Sequence, residues 1–405
     1  MDIGFCKLDG EGEKLHLLKI IRKMQKITRG QIVKLTGYSS AKISLLIKEM
    51  SEQELIEEVG VDESTGGRKA KLLQLKGDKG YFLGAELGSY ELKISLIDFS
   101  GKALSFGKMP EDPENVEPEY VMKKLIDFIR GFINSNINYQ PKLTCLGLAL
   151  SGIVDDNTGV CRYFRNRKSW EGFPLKNILE DAFGLPCIID DSSRMMAVAE
   201  KIYGHCRNIN NFILFSIGVG LGTGIFIDGK LFRGSTGLAG ELGHMVIKEN
   251  GPRCICGNCG CLESLVSGYA IERELKEAIN DNVYSSLMWE EDIDAKDVVE
   301  QAKEGDKLAY SIINKAAKHL GVGIANAINI FNPEMVILAG GISNAGKLLQ
   351  EPIEQVVKAS ALAASAKNVK ILLSGLNEYS ASLGIANNCI DWLLNNKAAH
   401  DFINK

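Results

Sequence analysis

Long apolar runs are missing from the 405 residues. The most hydrophobic stretch, Asn211 to Ile227, is interrupted by four glycines and falls short of the ~20 apolar residues of a spanning helix, so no membrane segment is expected. Proline is scarce, 9 against 42 glycines, and 45% of residues are apolar and 24% charged, which excludes a disordered or collagen-like chain. Bulk charge is also lacking: 47 Lys plus Arg against 51 Asp plus Glu leaves −4, so any polyanion site must be local. The opening residues, MDIGFCKLDGEG, lack the basic start and apolar stretch of an export signal, and a cytoplasmic location is expected. Of 10 cysteines, four crowd into Cys254–Cys261, which favours metal binding over a disulfide framework. At ~100–200 residues per domain the chain is long enough for two to four domains.

One absence is local. Between Lys14 and Lys48 there is no Asp or Glu, but nine Lys or Arg (14, 19, 22, 23, 26, 29, 34, 42 and 48). Leu17, Leu18, Ile20 and Ile21 mark one helix face, Gln31–Leu35 a second helix and Ala41–Met50 a third, with Gly37 in the turn between the last two. A hairpin follows, from Leu55–Val59 and Leu72–Leu75, with Asp62–Lys71 as its tip. Together these predict a winged helix-turn-helix over residues 1–78. In its third helix Ser39, Ser40, Lys42, Ser44 and Lys48 are positioned to reach bases or phosphates, while Ile43, Leu46 and Ile47 face the core. The wing's Gly67, Arg68 and Lys69 suit a minor groove, Arg68 as the inserted cation.

From Gly80 strands alternate with helices. Tyr81–Gly88, Glu91–Asp98, Leu143–Leu150 and Pro186–Ile189 are predicted strands, and Glu119–Asn134 a helix. Strands at Asn211–Ser216, Thr223–Asp228 and Met335–Leu338 and a helix at Leu308–Asn329 form a second set. The expected fold class is α/β: one lobe at 79–193, joined by a C-terminal helix at 385–405, and a second at 194–384, with a ligand cleft between them.

Two motifs bear on that cleft. His244 followed by Cys254, Cys256, Cys259 and Cys261 has the ligand density of a closed tetrahedral zinc site. His244, Cys254, Cys256 and Cys261 are the expected ligands, with Cys259 in place of His244 as the alternative. Four protein ligands leave no open position, so this Zn2+ is expected to be structural. Glycine-rich turns at Glu86–Tyr90, Gly218–Gly224 and Ala339–Ser343 could wrap phosphate oxygens with backbone N–H groups, as in a sugar-kinase nucleotide cleft, although glycine equally serves plain hairpins.

Gly218–Gly224, Ala239–His244, Cys254–Glu263 and Leu338–Gly341 resemble the ROK family of repressors and sugar kinases. The amino-terminal winged helix marks its regulator branch, and Ser64–Lys69 is similar to the wing of xylose-repressor-like members. The resemblance implies an actin-like, hexokinase-like (ribonuclease H-like) pair of lobes, a homodimer or homotetramer, and a sugar held by Gly152, Asn166, Asp191, Glu241, His244 and Glu263. Such groups suit sugar hydroxyls, which both donate and accept.

Departures from the family's kinases are equally informative. The register set by Ala197–Glu200 places Ser192 where the kinases carry their catalytic-base Asp, and a hydroxyl cannot take a proton as a carboxylate does. Asp191 is adjacent, but a regular strand would point it elsewhere. Tyr90 and Val219 stand where small hydroxyl residues should meet phosphate. The expectation is a non-enzymatic, sugar-responsive repressor that binds operator DNA; the alternative is an ATP-dependent sugar kinase with an appended DNA-binding domain.

Overall fold

The computed structural model describes residues 10–62, 70–111, 115, 117–164, 168–289 and 292–404. Asn166, Gly67, Arg68 and Lys69 lie outside the described residues.

At the amino terminus come α1 (Gly10–Met24), β1 (Ile27–Thr28), α2 (Arg29–Thr36), α3 (Ser40–Glu52), β2 (Ile56–Val61) and β3 (Lys71–Leu75). Thr28 and Gln31 form a reciprocal capping box that starts α2, and Gly37, in the left-handed region at φ 69°, donates its N–H to the Val33 carbonyl to end it. Ser39 then caps α3 by accepting from the Lys42 N–H at 3.2 Å. The strands pair antiparallel in the order β1-β3-β2, the arrangement expected of a winged helix. Ile43, Leu46, Ile47 and Met50 bury one face of α3 and leave Ser40, Ser44, Leu45 and Lys48 exposed.

Next come β4 (Tyr81–Leu87), β5 (Glu91–Asp98), β6 (Ala103–Pro110), α4 (Pro118–Ser135), β7 (Leu143–Leu150), the hairpin β8 (Ile153–Asp155) and β9 (Val160–Tyr163), α5 (Leu175–Phe183) and β10 (Cys187–Asp191). The sheet order is β10-β7-β4-β5-β6, parallel across β10, β7 and β4 and antiparallel across β4, β5 and β6. Helix α6 (Ser192–Ile202) leads to β11 (Phe212–Ile217), β12 (Leu221–Ile227), β13 (Lys230–Leu231), α7 (Glu263–Val266), α8 (Gly268–Asn280), α9 (Ala295–Glu304), α10 (Lys307–Phe331), β14 (Met335–Ala339), α11 (Lys347–Ser360), α12 (Ala363–Ala366) and β15 (Lys370–Leu373). Their sheet, β13-β12-β11-β14-β15, repeats the first topology: three antiparallel strands, then two added in parallel.

The stretch expected as one carboxy-terminal helix is two, α13 (Ser380–Asn395) and α14 (Ala398–Asn404). Gly384 permits α13 to press onto α6, since a Cβ there would lie 1.8 Å from the Met195 carbonyl oxygen. Strand β6 escaped prediction because it is a sheet edge: Gly107, Lys108 and Pro110 obscure its alternation. The hydrophobic core of the amino-terminal unit does not end at β3. Leu17, Ile21, Ile47 and Leu75 belong to one cluster with Phe82, Phe99, Ile390 and Phe402, so this unit is packed onto the first sheet.

Candidate functional site: a two-sided cleft beside a cysteine-histidine cluster

A cavity of about 890 Å³ opens between the two sheets. Its walls include Gly152, Asp191, Ser192, Glu241, His244 and Glu263, so six residues singled out in the sequence meet in one place.

On one side the loop between β13 and α7 folds over a short 3-10 turn, Leu242–His244. The His244 Nδ1 lies 3.6 Å from the Cys254 Sγ, Cys256 and Cys261 sulfurs are 3.6 Å apart, and all four ligand atoms fall within 4.8 Å of one another. A tetrahedral ion with metal–sulfur bonds of ~2.3 Å needs ligand edges of about 3.8 Å, so this donor set can hold a metal ion. Cys259 is exposed and outside this cluster. Glu263 opens α7 beside the cluster; its Oε2 accepts the Leu221 N–H at 2.9 Å and its Oε1 lies 3.8 Å from the Cys254 Sγ. Glu241 sits 4.0 Å from the Nε2 of His244 and is half-exposed to the cleft. Desolvation by the walls raises its carboxyl pKa, opposed by Arg194 and assisted by Glu263.

Facing it, β10 gives way to α6. The prediction that Asp191 points away fails because the strand ends there: Asp191 is the N-cap of α6, its Oδ1 accepts the Arg194 N–H at 3.0 Å, and it lines the cleft beside Ser192. Burial pushes its carboxyl up to about 7, against Arg194 and with help from Glu241 and Asp190. Ser192 shares a hydrogen bond with Ser151, Oγ to Oγ 3.1 Å. Gly152 has no room for a side chain, a Cβ falling 2.5 Å from the Tyr163 carbonyl oxygen.

Below these lies an ionic group that sequence reasoning missed. Asp190 takes Arg194 at 3.0 Å and Arg233 at 2.5 Å, Arg233 reaches Asp156 at 2.5 Å, and Arg194 also donates to the Gly237 carbonyl. It ties β10 and the β8–β9 turn to the loop after β13. Little local signal marked it: Asp190 and Arg194 are four residues apart across the β10–α6 junction, but Arg233 and Asp156 are 77 positions apart.

On the phosphate side two of the glycine turns, at Gly88 and Gly218, carry hydrogen bonds within the chain. Gly88 N–H bonds the Glu91 carbonyl at 3.1 Å, Gly218 N–H the Gly220 carbonyl at 3.0 Å, and Gly268 N–H the Gly218 carbonyl at 2.7 Å. The run Gly218–Gly224 is only partly a turn, because Gly222 and Gly224 belong to β12. They let α6 lie against that strand: a Cβ on Gly222 would overlap the Ser193 hydroxyl at 1.8 Å. Glu86 is buried, raised to about 7 by desolvation, and its Oε2 lies 3.9 Å from Lys93.

Among the DNA-facing candidates, Ser39 is occupied in capping, Ser44 donates to the Ser40 carbonyl at 2.8 Å, and Lys48 is 3.8 Å from Glu52. Lys42 pairs with Glu13 and covers the Tyr38 ring at 4.5 Å. The acid-free run therefore overstates free charge: Lys14 pairs with Glu49, Arg29 with Glu58, and Arg22 is buried against Asp391.

The ROK family pattern matches residues 82–390. The chain is 33% identical to a xylose repressor of Caldicellulosiruptor bescii over 92% of this chain and 93% of that one. It is 32% identical to the DNA-binding transcriptional dual regulator NagC of Escherichia coli, over 94% and 92%. A crystal structure of a ROK family transcriptional regulator, a homolog of the E. coli MLC protein, superposes with TM-score 0.82 at 30% identity over 98% of this chain and 99% of that chain. A ROK family glucokinase from Streptomyces griseus with glucose and AMPPNP gives 0.66 at 27%, over 76% of this chain and 99% of that chain. A lobed α/β body of this topology, with a cysteine-histidine cluster at its cleft, is thus placed by sequence and structure alike: the chain belongs to the ROK family.

Proposed function

We propose that this protein is a sugar-responsive, DNA-binding repressor, cytoplasmic and a homodimer or homotetramer, whose body binds sugar without phosphorylating it. The observation that carries the reading is the pairing of a docked helix-turn-helix unit with a cleft that keeps Glu241, His244 and Glu263 on the sugar side but Ser192 at the place of the base. Gly152, Asp191 and Asn166 complete the proposed sugar contacts. A xylose repressor and a DNA-binding transcriptional dual regulator among the relatives support the regulatory half.

Zinc is the metal whose chemistry best fits three thiolates and one imidazole, held by His244, Cys254, Cys256 and Cys261. It would serve as a fixed tie that holds Glu241 and Glu263 in place. Operator contacts fall to Ser40, Ser44 and Lys48 on the open face of α3, with Ser39 and Lys42 shaping its first turn and Gly67, Arg68 and Lys69 supplying the wing. Sugar binding acts by favouring one lobe arrangement, which alters how paired helices meet two half-sites.

One observation favours the kinase reading: Asp191, a carboxylate titrating near neutrality, lines the cleft next to Ser192. Titration calorimetry of the full chain with D-xylose, D-glucose and N-acetyl-D-glucosamine, followed by the same sugars with Mg-ATP and an ADP assay, separates the two. Heat with a sugar and no ADP above background is expected. Steady sugar-dependent ADP release overturns the regulator-only reading.

A further inference from the structure

Helix α6 has its two ends in different functional regions. At its start Asp191 caps it and lines the cleft. At its end the Tyr203 hydroxyl donates to the Gly101 carbonyl in the β5–β6 turn and accepts from the Asn387 Nδ2 at 2.6 Å. The Asn387 Oδ1 in turn accepts from a guanidinium nitrogen of Arg22 at 2.7 Å, and Arg22 lies on α1 of the amino-terminal unit. Asn387 is fully buried, and its Nδ2 also holds the Leu383 carbonyl at 2.9 Å. Gly101, at φ +89°, is shaped to this junction: a Cβ there would lie 2.8 Å from Arg22 and 3.1 Å from the Asn387 Oδ1.

Between these ends α6 is a stiff element. Met195, Ala197, Val198, Ala199 and Glu200 are buried, and the Glu200 carboxylate accepts from the Ser374 hydroxyl and the His205 N–H. A helix so clamped moves as a body, and hydrogen bonds of 2.6–2.7 Å tolerate only a few tenths of an ångström before they weaken. The continuous core joining α1 to the first sheet leaves the amino-terminal unit no slack to absorb that movement.

We infer that α6 is the rod through which an occupied cleft repositions the DNA-binding unit, with Tyr203, Asn387, Gly101 and Arg22 as its coupling to α1. Tyr203 and Asn387 are positioning residues: neither touches the cleft. The inference deepens the proposed function and rests on it.

The test uses the full chain, a duplex selected from a random pool as operator, and whichever of D-xylose, D-glucose and N-acetyl-D-glucosamine binds. Tyr203→Phe removes one hydroxyl and keeps the ring; Arg22→Gln keeps a donor amide. Sugar affinity without DNA should stay within twofold in both. Saturating sugar should shift operator affinity by about 5–150-fold in the unsubstituted chain and by less than a third of that factor in either variant. Asn387→Ser should behave likewise, and Tyr203→Trp should not restore the response. As a readout independent of variant folding, amide exchange across Leu17–Ile21 should change when sugar is added to the unsubstituted chain. A full sugar response in both variants, or unchanged exchange in α1, overturns the rod while leaving the regulator reading intact. A sugar that binds but leaves operator affinity unchanged in the unsubstituted chain overturns both.

Discussion

Two regions of the cleft, the loop bearing Glu241 and His244 and the glycine turns at Gly88 and Gly218, differ in where their hydrogen-bonding groups are committed. On the sugar side, side chains are delivered into the cavity by the loop that the cysteine-histidine cluster ties down: Glu241 is half-exposed and His244 turns its Nε2 toward it. On the phosphate side, the N–H groups of Gly88 and Gly218 already hold carbonyl partners, and Tyr90 stands where a small hydroxyl residue is expected. The difference teaches that glycines in a turn do not by themselves leave backbone N–H groups free for a ligand. A neutral polyol is held by polar side chains such as those of Glu241 and His244; a triphosphate also needs free backbone N–H groups or cations.

The largest effect should come from the tie. His244→Ala or Cys256→Ala should release about one zinc per chain, lower the melting midpoint by ten degrees or so, and abolish sugar heat, as metal analysis and scanning calorimetry would record. Retained metal and unchanged stability would remove the cluster from the account. Next, Glu241→Ala should weaken sugar binding by about 10- to 150-fold, because a carboxylate–hydroxyl bond is worth about 1.5–3 kcal/mol, while operator affinity without sugar stays put.

The third effect is a pH dependence. Asp191 is protonated more readily in the folded chain, near 7, than at its ordinary 3.8, so its folded carboxylate costs stability that grows as pH rises from about 4 to 7 and then levels. Asp191→Asn keeps a capping oxygen and removes that cost. The variant should match the unsubstituted protein at pH 4 and exceed it by on the order of 2 kcal/mol at pH 8, measured by denaturant unfolding. Equal stabilities at pH 8 would mean that Asp191 is well solvated. The smallest effect belongs to Lys48, exposed and loosely paired with Glu52: Lys48→Ala should weaken operator binding about threefold and reduce the salt slope by about one.

What could be read from the sequence follows the range of the interactions involved. Leu143–Leu150 was recoverable to the residue because a parallel strand buried from Cys145 onward is a nearly continuous apolar run. His244 and the cysteines were recoverable because three of the four ligands fall within one short loop. Asp191 was misread because alternation says nothing once a strand ends in a helix cap. The pairing of Lys42 with Glu13, and of Arg22 with Asn387 365 positions away, leaves no local pattern at all. Charge counted along the acid-free run was therefore partly charge already spoken for. Edge strand β6 hid for a different reason: its exposed residues, Phe106, Lys108 and Pro110, include an apolar ring and a proline, so no apolar-in, polar-out alternation marks it.

The division between the two regions of the cleft is tested most directly by titrating the full chain, with Mg2+ present, with ATP, with sugar, and with each after the other. The account predicts sugar heat that ATP neither enhances nor competes away, and no heat from ATP itself. Saturable ATP binding accompanied by sugar phosphate in the cell would contradict it.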